Sequence, residues 1–160
     1  MEVEIIVYSE LREEGTLPIA WIKGKHEIPS KDILNVALKS ISLLEHDKLE
    51  ANACRDPKSI VESAKYTFGI LPFPDQKGVG LAYIFNYLDK RNVNIISTLT
   101  LIVNNRCKNA LFVHHENIEK HMKFTVFEIL KLMVANESIP SSEIEEKLSI
   151  LLEKINRVEC

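Results

Sequence analysis

Three consecutive apolar runs between Tyr66 and Val103 constrain the fold more than any other stretch. They read YTFGILPFP, GVGLAYIFNYL and NVNIISTLTLIV, with only DQK and DKR between them. Each is rich in Ile, Val, Leu, Tyr, Phe and Thr, residues that suit a pleated, half-buried surface. Short polar connectors favour antiparallel neighbours, so the segment predicts a three-stranded meander. In the second run Tyr83, Phe85 and Tyr87 share one face, and Ala82, Ile84, Asn86 and Leu88 share the other. Both faces are largely apolar, which calls for cover on both sides.

Two further strands are expected before the meander. Val3 to Tyr8 is an apolar run, SELREEG reads as a charged connector, and Leu17 to Lys23 resumes strand character. Pro18 marks an edge strand or a strand start, because proline has no N–H for a ladder. Pro29-Ser30 opens a helix, with Ser30 as its cap and Asp32 at the positive end of its dipole. Its apolar face reads Ile33, Leu34, Ala37, Leu38, Ile41 and Leu44, and its end falls near Glu45 to Lys48. Glu50 to Ser63 reads as a long loop, with a short helix from Ser59 to Ala64.

After Val103, the NNRCKN patch is a turn and ALFV reads as a short extra strand. Glu116 to Ala135 is a helix with Ile118, Met122, Thr125, Val126, Ile129, Leu130 and Met133 on one face. A third helix starts at Pro140-Ser141-Ser142, where Ser142 and Glu145 have capping-box spacing. Its narrow stripe of Ile144, Leu148, Leu151, Leu152, Ile155 and Val158 packs either on the domain or on a partner. The expected fold is therefore α/β of the α+β type. It is a mostly antiparallel five-stranded sheet in the order β-β-α-β-β-β-α-α, with helices on its faces. Residues 1–135 form the domain and 136–160 the C-terminal amphipathic helix.

Composition narrows the function. The chain has 160 residues and a net charge of −3, with scattered basic residues. That gives no electrostatic reason to expect nucleic acid. No apolar run is long enough to cross a bilayer, and the start MEVEIIVYSE does not resemble a signal peptide. Cys54, Cys107 and Cys160 are odd in number and far apart, which argues against a disulfide framework and for a reducing cytoplasm.

Candidate chemistry is sparse. His114, His115 and Glu116, with Glu119 and His121, miss the two-histidine spacing of helical zinc sites. They read as a solvated junction, and no metal is expected. Gly78-Val79-Gly80 lacks the lysine and hydroxyl of a phosphate loop, so the chain is not expected to be a GTPase. Ser9-Glu10 reads as a strand end with a turn-forming serine. No Gly-x-Ser-x-Gly accompanies it, and no catalytic residue is assigned.

The order of elements resembles that of longin domains. Val7-Tyr8-Ser9-Glu10, a charged loop, then Gly15-Thr16-Leu17-Pro18 is similar to the opening of longin domains in the folliculin and nitrogen-permease-regulator-like families. There a strand ends in Ser-Glu or a similar pair and a Gly-Pro-type turn follows. Here Thr16 and Leu17 stand between the glycine and the proline. Tyr83-Ile84-Phe85-Asn86-Tyr87 looks like the aromatic strand of that group, and archaeal stand-alone longin-like proteins are of similar size. The resemblance covers about residues 1–135. It implies a cytoplasmic, non-enzymatic module without a cofactor. Such a module would dimerise with itself or with another longin or roadblock-type subunit, and would regulate or scaffold small GTPases, as in trafficking assemblies. Some regulator-like members use an arginine in the loop entering the aromatic strand to assist GTP hydrolysis. The loop here is Asp75-Gln76-Lys77-Gly78, and no arginine lies between Arg55 and Arg91. GTPase activation is therefore not expected, since Lys77 lacks the planar fork.

The surfaces that this architecture points to are the second strand, through Leu17, Ile19 and Trp21, and the first helix, through Lys31, Asn35, Lys39 and Ser42. The competing class is a small enzyme or ligand-binding domain. Its pocket would lie near His114, His115 and Glu116, or near Glu10.

Overall fold

A computed structural model describes residues 1–43, 53–63, 70–73 and 78–160. Strand β1 runs over Val3–Arg12 and β2 over Gly15–Lys23. The charged stretch after Tyr8 is therefore mostly strand rather than connector. Ser9 and Glu10 lie within it, buried, and not in a turn. Only Glu13 and Glu14 separate the two strands, and Gly15 follows them at φ +109°, where an L side chain is strained.

Strand β3 (Ile70–Phe73), β4 (Gly78–Leu88) and β5 (Asn94–Asn104) complete an antiparallel sheet in the order β2-β1-β5-β4-β3. The four strands β2, β1, β5 and β4 make the extensive part, and β3 is a short edge. Tyr66 to Gly69 and residues 74–77, with Asp75, Gln76 and Lys77, lie outside the described residues. So do Leu44 and the expected end of the first helix at Glu45 to Lys48.

Helix α1 spans Ser30–Ile41. Pro29 precedes it and no side chain caps it, so Ser30 is its first residue and not its cap. Its buried residues are Ile33, Val36, Ala37 and Ser40. Leu34 and Leu38 are 40% and 47% exposed, so the buried stripe is rotated from the expected one. Ser40 explains the rotation. Its hydroxyl donates to Val36 O (2.7 Å) and accepts from Thr100 Oγ1 (2.6 Å), so a polar residue is satisfied inside.

The short helix expected from Ser59 to Ala64 is present as α2, which starts two residues earlier and spans Pro57–Ser63. Asp56 caps it, accepting from Ser59 N at 2.9 Å, and Pro57 occupies the first helical position where its missing N–H costs nothing. ALFV is not a strand. It belongs to α3 (Lys108–Val113), which a 3-10 turn over Asn105–Cys107 introduces. Asn104 caps that turn through Arg106 N, and this local cap starts a helix where composition alone suggested a strand. Helix α4 spans His115–Ala135 and α5 spans Ser141–Asn156. No side chain caps α5, so the expected Ser142–Glu145 capping box does not form.

The sheet separates two cores. On one face α1 covers Ile5, Val7 and Ile102 with Ile28, Ile33 and Val36, and Trp21 packs against their edge. On the other face α2, α4 and α5 cover Ile6, Tyr8, Tyr83, Phe85, Tyr87, Leu99 and Leu101. Ile144, Leu148, Leu151 and Ile155 of α5 belong to this larger core, and α5 packs on α4, β2 and β1.

Cys107 and Cys160 form a disulfide with Cα atoms 4.9 Å apart, contrary to the reading of unpaired thiols. They stand 53 positions apart in sequence, but three elements end together. Asn104 N donates to Glu2 O (2.8 Å), and the Met1 amine donates to Asn156 O (3.0 Å) and to Val158 O. The end of β5, the start of β1 and the tail after α5 therefore meet, which spacing along the chain does not reveal. A loop of that size contributes on the order of 4 kcal/mol through chain entropy.

Candidate functional site

Two places on the molecule gather polar or exposed groups in a way that the core does not require. The first is inside. Alternation along β1 puts Tyr8, Glu10 and Arg12 on one face. In register, Glu10 lies opposite Ser97 of β5, and Ser97 lies opposite Phe85 of β4. Glu10 is fully buried. Its Oε1 accepts from the Tyr8 hydroxyl (3.1 Å) and the Tyr87 hydroxyl (3.0 Å). Its Oε2 accepts from Arg12 Nε (2.8 Å) and a terminal guanidinium nitrogen (2.6 Å). Tyr8 also donates toward Ser97 Oγ at 3.3 Å.

Electrostatics make this cluster a lock. Burial, then the Glu10 carboxylate, hold the Tyr8 phenol well above its ordinary value of 10.0, and the same two causes raise Tyr87. Burial lowers the Arg12 value, but its hydrogen bonds and charge pairing with Glu10 outweigh that and leave it raised. Both phenols therefore stay protonated as donors, and the carboxylate is occupied by four donors. Neither arrangement leaves a base or nucleophile free for a substrate. On the opposite face of the same strands, Ser9 and Thr98 are paired in register, and both hydroxyls are buried without a partner among the described residues.

The phenols give a pH expectation with a definite sign. A group that holds its proton longer when folded contributes its full stability below its unfolded value and loses it as pH rises above that value. Above pH 10, stability falls by about 1.4 kcal/mol per pH unit for each phenol until the chain unfolds. Phenolate absorbance followed through an alkaline titration checks this. Tyr8 and Tyr87 ionise only together with loss of folded structure. Ionisation of all tyrosines in the folded chain would refute the lock.

The second place is on the surface. On α1, Lys31, Leu34, Asn35, Leu38 and Ser42 face outward, with Leu34 and Leu38 one turn apart. Lys39 is half-buried beside them. The surface leucines were missed in the sequence because 33-36-37-40 and 34-38-41 are both valid helical stripes. Only the hydroxyl pairing of Ser40 with Thr100 selects between them. Next to α1, β2 is the edge of the sheet. Leu17 is exposed, Ile19 packs against the larger core, and Trp21 packs against the α1 core. Pro18 lies on this edge, where a missing N–H is tolerated.

His114 is half-buried, and His115 and Glu116 are exposed at the corner between α3 and α4. His115 Nδ1 lies 2.7 Å from Phe112 O. Among the described residues, no group of three or more His, Cys, Asp or Glu is placed to hold a metal ion. No helix among them is long and apolar enough to cross a membrane. Comparison of the chain with protein-family models, curated proteins and solved structures found no match in any of the three.

Proposed function

We propose that the chain is a longin-like, non-enzymatic interaction module that dimerises, with itself or with a related subunit, and recruits or regulates a small GTPase. The observation that supports this reading is the arrangement around α1. Among the described residues, one helix covers one face of an antiparallel sheet of order β2-β1-β5-β4-β3; it packs against the edge strand β2 and carries two exposed leucines. An outward apolar pair flanked by lysine, asparagine and serine is the composition of a small interface with a polar rim. Lys31, Asn35 and Ser42 supply that rim. The saturated Glu10 cluster supports a structural role for the residues that would otherwise suggest chemistry. A small GTPase partner implies a cytoplasmic setting, where the Cys107–Cys160 disulfide would be exposed to reduction.

Light scattering across a concentration series tests the dimer. The wild type is expected to be dimeric at low micromolar concentration. Replacing Leu34 and Leu38 together by glutamate is expected to weaken association at least tenfold, because both leucines would lie at the centre of the contact. Both side chains are exposed and belong to neither core, so the variant is expected to keep its circular dichroism and melting temperature. A wild type that stays monomeric, alone and with nucleotide-loaded small GTPases, would sink the reading.

A further inference from the structure

The corner between α3 and α4 carries the most exposed apolar residue among the described large hydrophobics. Val113 is 75% exposed and Phe112 beside it 51%. Lys108 is one turn before Phe112 on α3, and Arg106 precedes it in the 3-10 turn. Both cations are exposed. On α4 the outward positions Asn117, Lys120 and Phe124 follow at helical spacing. Phe124 is half-exposed, with Lys154 Nζ 4.6 Å from its ring centroid.

The segment is locally basic. The chain as a whole is at −3, yet residues 105–124 hold four lysines and arginines against two glutamates. Of these, Glu119 is paired with Lys123 at 2.7 Å, which leaves Glu116 as the exposed carboxylate of the segment. The chain-terminal carboxylate at Cys160 lies one disulfide away from Cys107.

We propose that the Phe112–Val113 corner, with the exposed cations Arg106 and Lys108 just before it and Lys120 on the following helix, docks the protein on an anionic lipid surface. The shape favours lipid over a protein partner. Two neighbouring exposed apolar side chains, where one helix ends and the next begins, offer little area to a flat protein surface. A fluid bilayer closes around them one at a time, and lysine stems let the ammonium groups stay at headgroup level. Cations near such a surface add attraction that salt screens. This surface is separate from the α1 face and does not depend on the longin reading.

Flotation of the full chain with vesicles tests it. One set is phosphatidylcholine alone, and the other contains about 30% phosphatidylserine, enough for a strongly negative surface potential. The chain is expected to float with the anionic set, less at high salt, and poorly with the neutral set. Val113→Asp is expected to lower partitioning about tenfold or more, and Lys108→Glu about tenfold on anionic vesicles alone. Leu34→Glu, on the other surface, is expected to float like the wild type. Both corner residues are in water, so circular dichroism separates a lost contact from a lost fold. The proposal is overturned by a wild type that does not float with anionic vesicles. It is equally overturned by a folded Val113→Asp that floats as well as the wild type.

Discussion

Glu10→Ala is expected to destabilise the chain by about 3 kcal/mol, the order reported for losing one partner of a buried charged network. In a chain of this length, that lowers the melting temperature by roughly 6–12 °C. The loss follows from what remains. Tyr87, largely buried, loses its acceptor at 3.0 Å, and Tyr8 keeps only the longer contact to Ser97. Arg12 is half-exposed and turns to water, so its share is smaller. Arg12→Ala leaves the carboxylate buried with two phenols and no cation, and is expected to cost about 2 kcal/mol. The double variant is expected to cost less than the sum, since removing both partners leaves no unpaired charge. Urea unfolding of the four proteins measures the coupling. Additive losses would mean that the two side chains do not act as a unit.

That cluster also shows where sequence reasoning stops. Alternation placed Tyr83, Phe85 and Tyr87 on one face of β4, because a strand has a period of two whatever covers it. The same alternation along β1 would have aligned Tyr8, Glu10 and Arg12, but SELREE is too charged to read as a buried strand. Burial of Glu10 depends on donors from β1 and β4 that converge only once β5 lies between them. The α1 stripe failed for the same reason. Ser40 belongs inside because Thr100, sixty residues away, supplies its partner. The disulfide was hidden because neither cysteine's neighbours signal that β5, β1 and the tail after α5 end together. By contrast, the buried faces of α4 and α5 were legible. Ile118, Met122, Val126 and Ile129, and Ile144, Leu148, Leu151 and Ile155, are apolar for a reason that local periodicity contains.

The exposed features divide in the same way. Phe112 and Val113 sit in a run that reads as a short extra strand, and in the helix that follows the Asn104-capped turn both are exposed. Leu34 and Leu38 came outward when Ser40 went in. Both candidate surfaces are thus apolar residues displaced by a hydrogen bond made elsewhere, which makes them harder to find by composition than by structure.

Gly24→Ala is expected to cost roughly 3 kcal/mol, at the upper end of the range for overpacking a well-filled site. Gly24 follows β2 and donates its N–H to Glu4 O at 2.8 Å. A Cβ built on it would overlap the Val3 carbonyl oxygen, and that oxygen belongs to backbone in the sheet and cannot swing aside. The neighbourhood is tied down as well. The buried Glu4 carboxylate accepts from Asn104 Nδ2 (2.8 Å) and faces His26 Nδ1 (3.1 Å), so a shift of residue 24 strains bonds to β5 and to the following turn. Gly15 is the control. It has φ +109° but open space where a Cβ would go, so alanine there meets backbone strain alone, about 1 kcal/mol. Urea unfolding of the two variants should therefore rank Gly24→Ala well above Gly15→Ala. Equal losses would mean that the contact with Val3 relaxes freely, and that the packing of the β2 exit against β1 is looser than its hydrogen bonds imply.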